Sequence, residues 1–227
     1  MARKPAKREL VKALLDRHGH TYCEELGIPI ESNLPSALFR WLCASILFSA
    51  RIGSGLALRA AKALADNGLT SADRMAQASS AERTQILNRA GYARYDESTS
   101  RMLGDTADLL LREYRGDLRK LRERAGNDPT TERRLLKEFK GIGDVGADIF
   151  CREVQAVWNE LYPFADKRAL ATSARLGLAG DARALSRLVP RQDFPRLVAA
   201  LIRTRLAKEE QGVIEQASGA NASSSSS

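Results

Sequence analysis

The sequence predicts an all-α protein made of two packed helical subdomains, and three observations carry that prediction. Apolar residues recur at helical spacing along most of the chain, no stretch alternates apolar and polar residues as a strand would, and glycines and capping residues punctuate the pattern. The 227 residues, 44% hydrophobic and 28% charged, are enough for one domain or two closely packed ones. No internal repeat is evident, and no apolar run approaches the length needed to span a membrane.

Residues 6–26 read as a first helix, with Leu10, Val11, Leu14, Leu15, Tyr22 and Leu26 on its inward face. Pro35 suits the first turn of a second helix. That helix carries Leu38, Trp41, Leu42, Ile46 and Phe48 and is apolar nearly all round, which places it at the centre of a core. Short helices follow, separated by Gly68 and by Ser79-Ser80-Ala81-Glu82, which has capping-box spacing. The last of these is anchored by Ile86 and Leu87 and stops at Gly91. Residues 95–114 form a long amphipathic helix, and Leu118 and Leu121 face inward from a short one whose Arg119, Lys120, Arg122 and Arg124 read as a solvated face, with DNA contact as the alternative.

The organising stretch comes next. A helix over residues 130–138 buries Leu135, Leu136 and Phe139, Gly141 and Gly143 interrupt it, and a second apolar helical pattern begins near Val145 and runs through Ile149, Phe150, Val154 and Val157. A glycine-x-glycine turn opening a helix presents backbone N–H groups at the positive end of the helix dipole, and together these can hold a phosphate. Such a contact grips a nucleic acid backbone without reading its bases. Lys137 and Lys140 flank the turn and could add salt-sensitive phosphate contacts.

Beyond the hairpin, Pro163-Phe164-Ala165-Asp166-Lys167-Arg168 leads into a helix stopped by Gly177. Asp166 stands where a helix begins, so it reads either as a functional carboxylate or as a plain N-cap. A short helix follows Asp181, and Asp193-Phe194-Pro195 caps a last one carrying Leu197, Val198, Leu201, Ile202 and Leu206. From Gln211 the composition turns small and polar, which predicts a disordered tail over 211–227.

Charge narrows the partners. A formal net charge of +8 and a pI near 9.7 favour a polyanion. Cys23, Cys43 and Cys151 are scattered, two of them within apolar runs, and read as small core residues of a reducing compartment with no disulfide and no metal site. The basic N-terminus has no secretion signal, so the expected location is cytoplasmic, at the nucleoid in a bacterium.

At Phe139-Lys140-Gly141-Ile142-Gly143-Asp144-Val145-Gly146-Ala147 together with Asp166, the chain resembles the helix-hairpin-helix DNA glycosylase superfamily, in its endonuclease III and adenine-glycosylase branch. The family's hairpin, roughly Leu-Pro-Gly-Val-Gly-x-x-Thr-Ala, is matched at both glycines, the apolar residue between them and the closing alanine. The resemblance spans roughly residues 34–178 and implies a six-helix subdomain over 34–149 and a second subdomain from 1–33 plus 150–210, with DNA entering a cleft between them. It implies duplex DNA containing a damaged or mismatched base as partner, a monomer, no membrane association and Asp166 as the catalytic carboxylate. By the same resemblance Arg51, at the end of Phe48-Ser49-Ala50-Arg51, and Tyr92, in Gly91-Tyr92-Ala93-Arg94, occupy wedge positions that fill the gap left by an everted nucleotide. Each also has a bland alternative: a surface cation for Arg51, a packing residue for Tyr92.

The chain departs from the family in three places. No cysteine follows Cys151, so the family's iron–sulfur cluster is expected to be absent, and no other cofactor is implied. Val145 stands two residues after the second glycine, where bifunctional members carry the Schiff-base lysine, which closes the lyase route by that residue. Lys167 and Arg168 replace the threonine and histidine after the aspartate, and either hold phosphates around the flipped nucleotide or pair with Asp166. The expectation is a monofunctional, hydrolytic base-excision glycosylase. The alternatives are a catalytically inactive DNA-binding relative and a helical protein-interaction module.

Overall fold

The computed structural model describes residues 5–50, 52–93 and 95–224, with side chains up to residue 219. The described residues are helical throughout, with no strand among them, as the periodicity predicts. In chain order the helices are α1 (Lys7–His18), α2 (Tyr22–Glu25), α3 (Pro35–Ser49), α4 (Ser54–Asp66), α5 (Ala72–Gln77), α6 (Ser80–Arg89) and α7 (Asp96–Tyr114). They continue as α8 (Leu118–Arg124), α9 (Pro129–Leu136), α10 (Asp144–Val154), α11 (Lys167–Arg175), α12 (Ala182–Ser186), α13 (Phe194–Ala207) and α14 (Glu210–Ser224).

The chain divides into two units, one of residues 26–161 and one of residues 1–25 with 162–227. The borders fall at 26 and 161 rather than the expected 34 and 149, because α10 belongs with α3. The contiguous unit is built around α3, which packs against α4 and α10 and buries Leu38, Phe39, Trp41, Leu42, Ile46 and Leu47. Pro35 opens α3 at its first turn, as expected. The Trp41 indole donates to the Phe150 carbonyl at 3.1 Å, pinning α3 to α10, and Phe150 meets Trp158 edge-on with ring centroids 5.7 Å apart. Arg83, buried on α6, donates to the carbonyls of Met75, Ala78 and Ser100 and so ties α5, α6 and α7 together.

The discontinuous unit packs α1 against α13 and α14, and α11 against α13. Its core joins Leu10 and Leu14 of α1 to Phe194, Leu197, Val198 and Leu201 of α13 and to Val213 and Ala217 of α14. Three expectations change here. The first helix stops at His18, where Gly19 takes the C-cap with ψ 30°, a position at which a side chain would stand 2.3 Å from the Leu15 carbonyl oxygen. Asp193 accepts no cap hydrogen bond from α13 and instead pairs with Arg196 at 3.2 Å. The predicted disordered tail is helical through Ser224: Val213, Ile214 and Ala217 make a short apolar stripe that α1 covers, and Arg17 reaches Gln216 and Glu209 beside it. Even a few apolar side chains hold a mostly polar segment in a helix once they find a face to bury against.

Candidate nucleic-acid interface

The hairpin is seated on α3 and α7. Gly141 adopts φ +85°, and a Cβ there would lie 3.0 Å from both Ile46 Cγ2 and Met102 Sδ, so conformation and space each require glycine. Two hydroxyls hold the turn's carbonyls from behind. Thr106 on α7 donates to the Lys140 carbonyl at 3.3 Å, and Ser49 at the end of α3 shares its proton between the Ile46 carbonyl at 2.7 Å and, more weakly, the Gly141 carbonyl at 3.2 Å. A carbonyl drawn inward across a trans peptide turns the next N–H outward, so Gly141 N–H faces away from its seat.

Gly143 plays a different part. It is the N-cap of α10, brings no side chain to the helix's orphan N–H groups, and a Cβ there would meet nothing within 4 Å. The N-terminus of an eleven-residue helix is thus open to an outside acceptor, with the positive end of its dipole behind it. Of the flanking cations, Lys140 is exposed and free of ion pairs among the described residues, whereas Lys137 is held by Asp144 at 3.0 Å and brings no net charge. Val145, 38% exposed on the first turn of α10, carries no nucleophile at the lyase position.

Beside Gly141 lies a half-open pocket of about 230 Å³. Ile46 and Met102 supply apolar walls, and Ser49, Tyr95, Ser98 and Thr99 surround them. Its lining is largely apolar.

Tyr92 is not a wedge: it is 1% exposed, and its hydroxyl accepts from Thr99 at 3.4 Å. The cause is the end of α6, where Gly91 at φ +87° donates to the Asn88 carbonyl and Tyr92 N–H donates to Leu87, a Schellman closure that turns the following apolar residue inward. Burial pushes the Tyr92 phenol above its ordinary value. Arg51, the other expected wedge, lies outside the described residues.

Asp166, on the other unit, is the N-cap of α11. Its Oδ1 accepts from the N–H groups of Arg168 at 2.7 Å and Ala169 at 3.1 Å, and the residue is only 6% exposed. Lys167 and Arg168 are exposed, and Arg168 meets the Asp166 carboxylate through its backbone N–H. All three cysteines are free and buried, and no group of metal-binding side chains occurs among the described residues. No described helix is long and apolar enough to cross a membrane.

Ser49 and Thr106 are the residues that sequence reasoning missed. Their partners lie 92 and 34 positions away, and nothing in a hydroxyl at the edge of an apolar helix announces such a contact.

No family model and no curated protein matches the chain. Among solved structures it is similar to one described as "Structure of a Trapped Endonuclease III-DNA Covalent Intermediate: Estranged-Adenine Complex", with 17% identity over 72% of this chain and 71% of that one and a TM-score of 0.46.

Proposed function

We propose that this chain binds duplex DNA through its glycine hairpin and acts there as a monofunctional base-excision N-glycosylase. The observation that carries the binding is the open N-terminus of α10 behind Gly143, with the Lys140 carbonyl drawn inward by Thr106. The free Lys140 and the +8 net charge suit a phosphate backbone. In the chemistry, Asp166 provides the fixed negative charge that an oxocarbenium-like sugar requires and orients the attacking water. Val145 leaves water as the nucleophile. Extruding the target nucleotide costs a few kcal/mol of unstacking, and an apolar pocket beside the clamp helps to offset it.

A second reading is favoured by one feature: Oδ1 of Asp166 is already engaged by two backbone N–H groups, the geometry of a cap. In that reading the chain binds DNA and performs no chemistry. One experiment separates them. Duplexes each carrying a single damaged or mismatched base are incubated with wild type and Asp166→Asn, and base release and affinity are measured. Release by wild type alone with equal binding supports the enzyme; binding by both with no release on any duplex supports the second reading. Borohydride trapping of wild type but not of Lys167→Ala would refute the monofunctional assignment.

A further inference from the structure

Two sets of cations in the contiguous unit contrast with one another. Around α8 they are neutralised: Arg119 pairs with Asp117, Lys120 with Glu123, Arg122 with Glu160 and Arg124 with Glu113. Arg59 and Lys62 of α4, Arg89 of α6 and Arg101 of α7 are exposed and have no ion-pair partner among the described residues.

These four line two adjoining grooves. One, of about 220 Å³, runs between α4 and α6 past Arg59, Lys62 and Arg89. The other, wider and about 760 Å³, runs between α6 and α7 past Arg89 and Arg101. Arg89 stands on the ridge between them. The spacing explains the continuity: Arg59 and Lys62 on α4, Gln85 and Arg89 on α6, and Glu97 and Arg101 on α7 are each set three or four apart, so each helix turns one polar face to the same surface. Asp66 and Glu97 are the acids lining the grooves, leaving cations in excess.

We propose that this surface of α4, α6 and α7 is a second nucleic-acid contact, binding the phosphodiester backbone independently of base sequence. Amide donors from Gln85 and Asn88 interleave with the cations, a mixture that sugar and phosphate oxygens accept. The grooves also adjoin the turn after α6, where Gly91 rests against Leu56 of α4. The proposal rests on the DNA-binding reading above and adds a site outside the hairpin.

The test is the salt dependence of duplex binding. Removing one cation that touches a phosphate should lower the slope of log affinity against log salt by about 0.9. Arg59→Ala/Arg89→Ala should therefore lower it by nearly twice that, with the helical signal unchanged, and Lys62→Ala/Arg101→Ala by a similar amount. Lys120→Ala/Arg124→Ala, on the paired face, should leave it unaltered. A wild-type slope in both groove variants, or an equal drop in the paired-face control, overturns the proposal while hairpin binding stands. A wild type that binds no duplex overturns both. Polyglutamate that binds wild type but not the groove variants, without competing with DNA, would assign the surface to an acidic peptide and refute the nucleic-acid contact.

Discussion

Thr106 and Lys140 meet through a 3.3 Å hydrogen bond from the threonine hydroxyl to the backbone carbonyl, made in a position where Thr106 is fully buried. The hairpin is thereby fastened to α7 by a side chain that never reaches the surface. Thr106→Val keeps the shape and removes the donor, leaving a carbonyl short of a partner, at a cost of about 1–3 kcal/mol. Chemical denaturation should register that loss, and fluorescence anisotropy with a labelled duplex should show weaker binding. Unaltered affinity in a folded Thr106→Val protein would mean that the orientation of the turn is irrelevant to the ligand.

The two hairpin glycines should respond oppositely to alanine. Gly141→Ala forces a side chain into a left-handed backbone 3.0 Å from Ile46 and Met102, and should destabilise by about 1–3 kcal/mol. Gly143→Ala meets nothing in the protein, so its stability should stay within about 0.5 kcal/mol of wild type while duplex affinity falls, since the new methyl occupies the approach to the helix N-terminus. A Gly143→Ala protein that binds duplex as well as wild type would remove α10 as the anchor.

Glu132 on α9 is fully buried, and its carboxyl meets the Glu160 carboxylate. Burial first, and then the neighbouring Glu160 carboxylate, raise it to about 8, against the opposing pull of Arg122. The native state therefore keeps a proton that the unfolded chain releases. Its contribution to stability is complete below the ordinary carboxyl range, falls as pH rises from there to about 8, and is constant above, where both states are ionised. Glu160, which Arg122 holds below its ordinary value, runs the other way, its contribution being lost only in acid. Glu132→Gln should flatten urea-unfolding stability between pH 5 and pH 8, on the order of the window that linkage predicts, and stabilise the protein at the alkaline end. An unchanged pH profile would show that Glu132 is ionised in the folded protein.

Asp166 can be tested as a cap and as a reactant separately. Asparagine caps a helix nearly as well as aspartate, so Asp166→Asn should leave thermal stability close to wild type, whereas Asp166→Ala should cost about 0.5–2 kcal/mol. Base release, measured on a duplex that wild type processes, should vanish in both. Equal release by wild type and Asp166→Asn would confine this residue to holding α11.

The helical class was readable because packing faces leave a period in the sequence: α3 buries Leu38, Trp41, Leu42 and Ile46 and α7 buries Thr99, Leu103, Thr106 and Leu110, while Phe48, Met102 and Leu109 on the same faces are half-buried. The glycine hairpin was readable for a related reason, since a left-handed turn requires glycine and so marks itself. What escaped depends on partners remote in sequence. The apolar stripe of Val213, Ile214 and Ala217 is too short to stand out until α1 is seen covering it, and Ser49 and Thr106 acquire their role only from carbonyls on another segment. Tyr92 is an intermediate case. The glycine before it and the amphipathic helix before that form a local closure that sends the next apolar side chain inward, a signal that an analogy to a surface loop obscured.

The discontinuity of the unit formed by residues 1–25 and 162–227 bears on how the protein is made. During synthesis α1 leaves the ribosome ahead of α13 and α14, the helices that cover its face of leucines. The segment of residues 26–161 is complete before those two and can collapse around Trp41 on its own. A premature stop before α13 should accordingly yield a folded hairpin-bearing fragment trailing a greasy, protease-sensitive leader.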